Sequence, residues 1–266
     1  MRALIAAGQL FDVAGNSIRV ELARLLARGL VERNERGQYR LARAAEAVQS
    51  RVAAWRRIEE QMVEWRGGWI GAHTATWFRA PRTASQRRKR AFDFLGFRAL
   101  EPALWLRPDN LRGGVVEIRR QLHRLGLEES VPVFLLSQLD DDTEERVRAL
   151  WDVSSLQAGY GEICAALAAS EKALLEASEE EAMVETFLVG GRAIRQLAYD
   201  PLLPEPLASA EERKRVVRAM KRYDDVGRQC WSPFMRSHGA PTRTSPADMR
   251  LGQTRPDLNL AAGSSV

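Results

Sequence analysis

The sequence predicts an α+β protein, and three observations carry that expectation. Residues 1–45 read as two short helices and a hairpin, and residues 66–140 alternate in the order β-α-β-β-α-β. Residues 141–236 then hold helical periodicity with no strand signal. A linker helix over 46–65 and a disordered tail over 237–266, rich in Pro, Thr, Ser and Gly, complete the division.

The N-terminal elements come first. Residues 3–11 are apolar at helical spacing, and Asp12-Val13-Ala14-Gly15 reads as a turn with a glycine at the corner. Asn16 or Ser17 can cap a second helix that runs to about Arg28 and stops at Gly29. On it Ile18, Leu22, Leu25 and Leu26 share one face, while Ser17, Val20, Ala23, Arg24 and Ala27 share the other. That second face is small and basic, with Arg19 and Glu21 on its flanks, and such a face fits a major groove about 12 Å wide. Glu21 is the exception, because a carboxylate repels phosphate unless it accepts from a cytosine amino group.

Leu30 to Arg33 and Gln38 to Leu41 read as strands around the turn Asn34-Glu35-Arg36-Gly37, with Arg33, Arg36 and Arg40 towards the tip. Helix, turn, helix and basic hairpin is the order of a winged helix-turn-helix, whose second helix reads bases while the wing meets phosphate or the minor groove. Such a domain ordinarily has a helix ahead of these two, and the sequence as it stands begins too late to supply it.

The linker carries Val48, Val52, Trp55, Ile58 and Met62 at helical spacing and is broken by Gly67-Gly68. Trp69 to Ala75 reads as a strand followed by a turn near Pro81, and Ala84 to Leu95 as a basic helix containing Arg87-Arg88-Lys89-Arg90. That run is either a solvated helix face or an auxiliary contact to a nucleic-acid backbone. Two short strands divided near Glu101-Pro102, a helix over Val115–Leu125 and a strand over Val131–Ser137 complete a ferredoxin-like pattern. Asp140 to Glu145 is a run of acids that lacks the spacing of a calcium loop; it reads as a helix start complementing the dipole. A helix over about 209–229 follows Asp200-Pro201-Leu202-Leu203-Pro204, which must end the helix before it.

Charge is unevenly spread along the chain. Residues 1–100 hold 19 Lys and Arg against 9 Asp and Glu, whereas residues 101–238 hold 18 against 24. A cationic front end suits a polyanionic partner, and the acidic remainder suits a different task. Two cysteines, Cys164 and Cys230, fit a reducing cytoplasm, and with three histidines they are too few for a zinc site. No stretch approaches the roughly 20 apolar residues that a membrane span needs. Neither a membrane partner nor a cofactor is expected.

Several segments, in their order and spacing, support a resemblance over some 230 residues. They are Ser17-Ile18-Arg19 through Arg24-Leu25 and Gly29-Leu30; Trp65-Arg66-Gly67-Gly68-Trp69; Leu95 to Leu100 leading to Trp105-Leu106-Arg107-Pro108; Trp151 with Tyr160; and Asp200 to Pro204 with Leu207. The chain resembles the PaaX family of transcriptional repressors, named for phenylacetic acid degradation. The resemblance implies a homodimer with a winged helix-turn-helix (here without its first helix), a ferredoxin-like middle domain similar to Cas2, and a helical C-terminal domain. It further implies binding to a palindromic double-stranded DNA operator, released by an aryl-acyl-CoA thioester such as phenylacetyl-CoA.

The DNA-binding candidates are Asn16, Ser17, Arg19, Val20, Arg24, Arg33, Arg36 and Arg40. The effector candidates are Arg192, Arg195 and Tyr199, which could present one cationic edge, and the weaker pair Trp105 and Arg107. Arg192 and Arg195 could equally pair with the acids at 179–181 or face solvent. Two departures fall near this region: Gly190-Gly191 replaces a histidine usual in the family, and Ala208 to Glu212 replaces a tryptophan-glycine segment. They leave the effector's identity open.

No catalytic residue is expected. The first middle-domain strand has no aspartate for a nuclease metal, and the chain has no phosphate-binding loop, nucleophile elbow or zinc-hydrolase motif. The rival to a repressor is a ligand-binding or dimerisation module that has lost DNA binding with its missing helix.

Overall fold

The computed structural model describes residues 1–34, 38–74 and 82–239. It is a mixed helix-and-sheet protein, as the patterning predicts. Helices α1 (Arg2–Gln9) and α2 (Gly15–Ala27) form an N-terminal hairpin. The two helices meet closely at Gly8, where a side chain would collide with Ile18 Cδ1. The corner differs from expectation. Asp12, not Gly15, takes the left-handed conformation (φ 55°), and Gly15 already lies in the first turn of α2, against Ile5. Ala14 therefore occupies the cap position, and neither Asn16 nor Ser17 caps the helix. Strands β1 (Val31–Arg33) and β2 (Tyr39–Leu41) pair antiparallel, with Glu32 opposite Arg40.

The linker is not one continuous helix. A 3-10 turn at Arg43–Ala45 precedes α3 (Glu46–Ala53), and a second 3-10 segment, Ala54–Gln61, bends at Arg57. The bend has a contact at each end. Arg56 is ion-paired to Asp224 and Asp225 of the last helix, while Val63 N–H donates to Asn110 O at 2.9 Å. The segment turns between these two contacts and buries Trp55 and Ile58.

The central sheet contains β3 (Trp69–His73), β4 (Arg98–Glu101), β5 (Leu104–Pro108) and β6 (Val133–Leu136), all antiparallel in the order β4-β5-β3-β6. Helices α4 (Arg82–Phe94) and α5 (Gly114–Arg124) provide the two crossovers. Alternation along β3 divides its side chains between two cores. Ile70 and Ala72 join Phe92, Leu95, Ile118 and Leu122, while Trp69 joins Leu106, Val147, Trp151 and Leu203. Trp69 lies between Trp65 and Trp151, with ring centroids 5.1 and 5.9 Å away, and its indole N–H donates to Glu144. The expected turn near Pro81 lies outside the described residues.

Four helices form the C-terminal part: α6 (Asp141–Arg148), α7 (Val153–Ala173), α8 (Glu179–Ala198) and α9 (Ala210–Ser237). Their starts are written locally. Asp140 and Asp152 accept from the backbone amides of Thr143 and Ser155, and Ser178 with Glu181 forms a reciprocal capping box. Helix α9 runs past the expected end near 229 and through Pro233. Its last turns are held by aromatic packing, since Trp231 stacks near Phe11, just after α1, and meets Phe187 of α8. Most of the expected tail, residues 240–266, lies outside the described residues.

Candidate nucleic-acid interface and effector groove

Helix α2 exposes the residues that the sequence singled out. Asn16, Ser17, Arg19, Val20 and Arg24 all face solvent, while Ile18, Leu22, Leu25 and Leu26 are the half-buried side. A shallow depression of about 620 Å³ runs along this helix, lined by Asn16, Ser17, Val20, Glu21 and Arg24 among others. The cations are not all free. Arg24 Nη1 is 3.2 Å from Glu21 Oε2, an ion pair one turn apart. In the hairpin Arg40 donates through Nε and Nη2 to Glu32 Oε2 at 2.9 and 2.7 Å, and Arg33 lies over the Tyr39 ring at 5.9 Å. Arg36 lies outside the described residues.

The α1–α2 unit is docked rather than isolated. Phe11, which follows α1, packs edge-on against Phe187 at 5.1 Å and stacks near Trp231 at 6.4 Å. Trp231 is itself fixed by donating from its indole nitrogen to Met183 O at 2.9 Å. Helix α8 therefore meets the turn after α1 through Phe187, near its middle.

Further along α8 lies a groove of about 310 Å³ lined by Arg192, Arg195, Gln196 and Tyr199. Three of the five effector candidates thus converge on one surface. The Arg195 guanidinium is 5.9 Å from the Tyr199 ring, and that ring packs edge-on against Phe94 of α4 at 5.1 Å. Neither Arg192 nor Arg195 pairs with the acids at 179–181; among the described residues neither forms an ion pair. Gln196 crosses the α7 backbone at Gly159, where a Cβ would lie 2.5 Å from its Nε2. Glycine there leaves room for the floor of the groove.

Trp105 and Arg107 are elsewhere. Trp105 stacks on Phe92 with ring centroids 4.9 Å apart. Arg107 is fully buried: it donates to Leu95 O, to Pro108 O at 3.1 Å and to Asn110 Oδ1 at 3.1 Å. It therefore lies in the interior, away from the groove on α8. The Arg87–Arg90 run is partly engaged too, since Arg88 pairs with Glu128 and Lys89 with Asp93. Arg88 holds the Glu128 carboxyl below its ordinary range, chiefly through that hydrogen bond.

Sequence reasoning missed a buried polar hub that joins sheet to helices. Tyr160 donates to Asp200 at 2.6 Å, Asn110 Nδ2 donates to Leu202 O at 2.6 Å, and Arg213 donates to Leu203 O at 3.1 Å. Burial, then the neighbouring Asp200 charge, pushes the Tyr160 hydroxyl far above its usual range, so it remains a donor. The available signal was a carboxylate placed directly before Pro-Leu-Leu-Pro in an apolar stretch.

Among the described residues no three His, Cys, Asp or Glu gather as a metal site, and no helix is long and apolar enough to cross a membrane. No protein-family model and no curated protein matches the chain. Among solved structures, the chain is similar to the uncharacterized protein Rv0674 from Mycobacterium tuberculosis. The two are 23% identical with a TM-score of 0.55, over 89% of this chain and 90% of that one, a likeness of fold.

Proposed function

We propose that the protein is a DNA-binding transcriptional regulator of the PaaX type. Residues 1–45 act as a winged helix-turn-helix, 66–140 as a ferredoxin-like domain and 141–236 as a helical effector domain. It acts in the cytoplasm as a homodimeric repressor of an aromatic-compound catabolic operon and leaves its operator on binding an aryl-acyl-CoA. The observation that carries this proposal is the exposed, small and basic face of α2 followed by a paired hairpin bearing Arg33 and Arg40. The order β4-β5-β3-β6, wholly antiparallel, is what a ferredoxin-like connectivity requires.

The effector end is supported by the groove on α8. Arg192 and Arg195 would hold the thioester's phosphates, and Tyr199 offers an aromatic wall. Repression then needs two states of unequal DNA affinity, one of which the effector favours. Helix α8 is suited to link them, because it touches Phe11 through Phe187 and carries the groove one to three turns later.

A mobility-shift titration against the gene's own upstream intergenic DNA, with and without aryl-CoA thioesters, tests the proposal. Selective binding released by one thioester is the expected result. Absence of selective binding by the chain refutes it.

A further inference from the structure

The anomaly on the α2 surface is Glu21. It sits on the solvent side of the helix proposed to enter the groove, with its side chain 57% exposed, beside Arg24 at 70%. Its carboxylate should weaken binding to any polyanion, and it is not part of the buried core. Among the described residues its partner is Arg24 Nη1 at 3.2 Å. A residue that costs affinity without contributing to the core is explained if it contributes discrimination.

We propose that Glu21 and Arg24 act as one reading unit for a single C·G base pair, which rests on the DNA-binding assignment above. In the major groove guanine offers two acceptors, O6 and N7, and its cytosine partner offers one amino donor beside them. An arginine and a carboxylate already side by side present the complementary order, two donors next to an acceptor. The ion pair favours an Arg24 rotamer beside Glu21, which sets the guanidinium and the carboxylate at neighbouring positions for one base pair. Glu21 is the specificity-determining member, because it rejects base pairs that place a carbonyl or N7 acceptor where the cytosine amino group should be.

Affinity and selectivity must therefore move in opposite directions. In selection from a randomised duplex library, the wild-type chain is expected to enrich one C·G pair by about fivefold or more over other pairs at that position. Glu21→Ala is expected to bind mixed-sequence duplex about two- to fivefold more tightly and to lose the preference at that position alone. Glu21→Gln retains an acceptor without the charge, so it is expected to bind more tightly and keep part of the preference. Both changes are on an exposed helical surface, and unchanged far-UV circular dichroism verifies folding. Binding by Glu21→Ala with every positional preference intact overturns the proposal. Failure of the wild-type chain to bind any duplex overturns the DNA-binding assignment on which it rests.

Discussion

Tyr160 donates a 2.6 Å hydrogen bond to Asp200 Oδ2 in the protein interior, and the other oxygen of Asp200 accepts the Leu202 amide at 2.7 Å. The pair fixes the loop between α8 and α9 against α7. The same loop receives Asn110 from the sheet side and Arg213 from α9. Replacing Tyr160 by Phe removes one hydrogen bond to the buried Asp200 carboxylate, which costs about 1–3 kcal/mol. Urea unfolding should show a lower midpoint with an unchanged slope.

Arg107 and Arg195 make a contrasting pair. Arg107→Met removes the donors to Leu95 O, Pro108 O and Asn110 from a fully buried site, and should cost about 2–3 kcal/mol. Arg195→Ala acts on an exposed surface and should change stability by no more than about 0.5 kcal/mol. Parallel melts of the two variants check the difference.

Function should divide the other way. Arg192→Ala and Arg195→Ala are expected to retain operator binding and to weaken release by the aryl-CoA about fivefold or more. Titrating the thioester into a preformed protein–DNA complex measures this. An unchanged titration curve would remove the groove on α8 from the effector site.

The fold was largely legible because its elements are written locally. The acids from Asp140 mark a helix start, and Trp69 to Ala72 mark a strand; the further starts at Asp152 and Ser178, inside a stretch that reads as helical throughout, are passed over although their caps are local. What was illegible depends on distant partners. The bent linker is tied through Arg56 to Asp224, 168 residues away, and periodicity has no access to such a partner. Arg107 is a weaker binding candidate in the sequence, but it is fully buried and donates to Leu95 O, Pro108 O and Asn110 Oδ1, partners that folding alone brings to it. Arg192, Arg195 and Tyr199 share one surface because residues three and four apart on one helix share a face without help from the rest of the chain.

Acid should loosen the start of α7. Asp152 accepts from the Ser155 hydroxyl, the Ser155 amide and the Ser154 hydroxyl, which lowers its pKa from 3.8 to about 2. A depressed folded-state pKa contributes stability that is complete above the unfolded value and is lost as pH falls through the folded one. Wild type and Asp152→Ala should therefore differ in thermal midpoint at about pH 5 and converge as pH falls to about 2. A difference that persists unchanged to the acid end would contradict the capping role.

The salt dependence of binding to an operator duplex, followed by fluorescence anisotropy, tests the central claim most directly. Wild type and the variant with Arg19 and Arg24 both changed to Ala would be compared between about 50 and about 200 mM salt. The account predicts a steep fall in affinity with salt for the wild-type chain, together with weaker binding and a shallower slope for the variant. Equal affinities and equal slopes for the two would contradict the assignment of α2 as the DNA-reading helix.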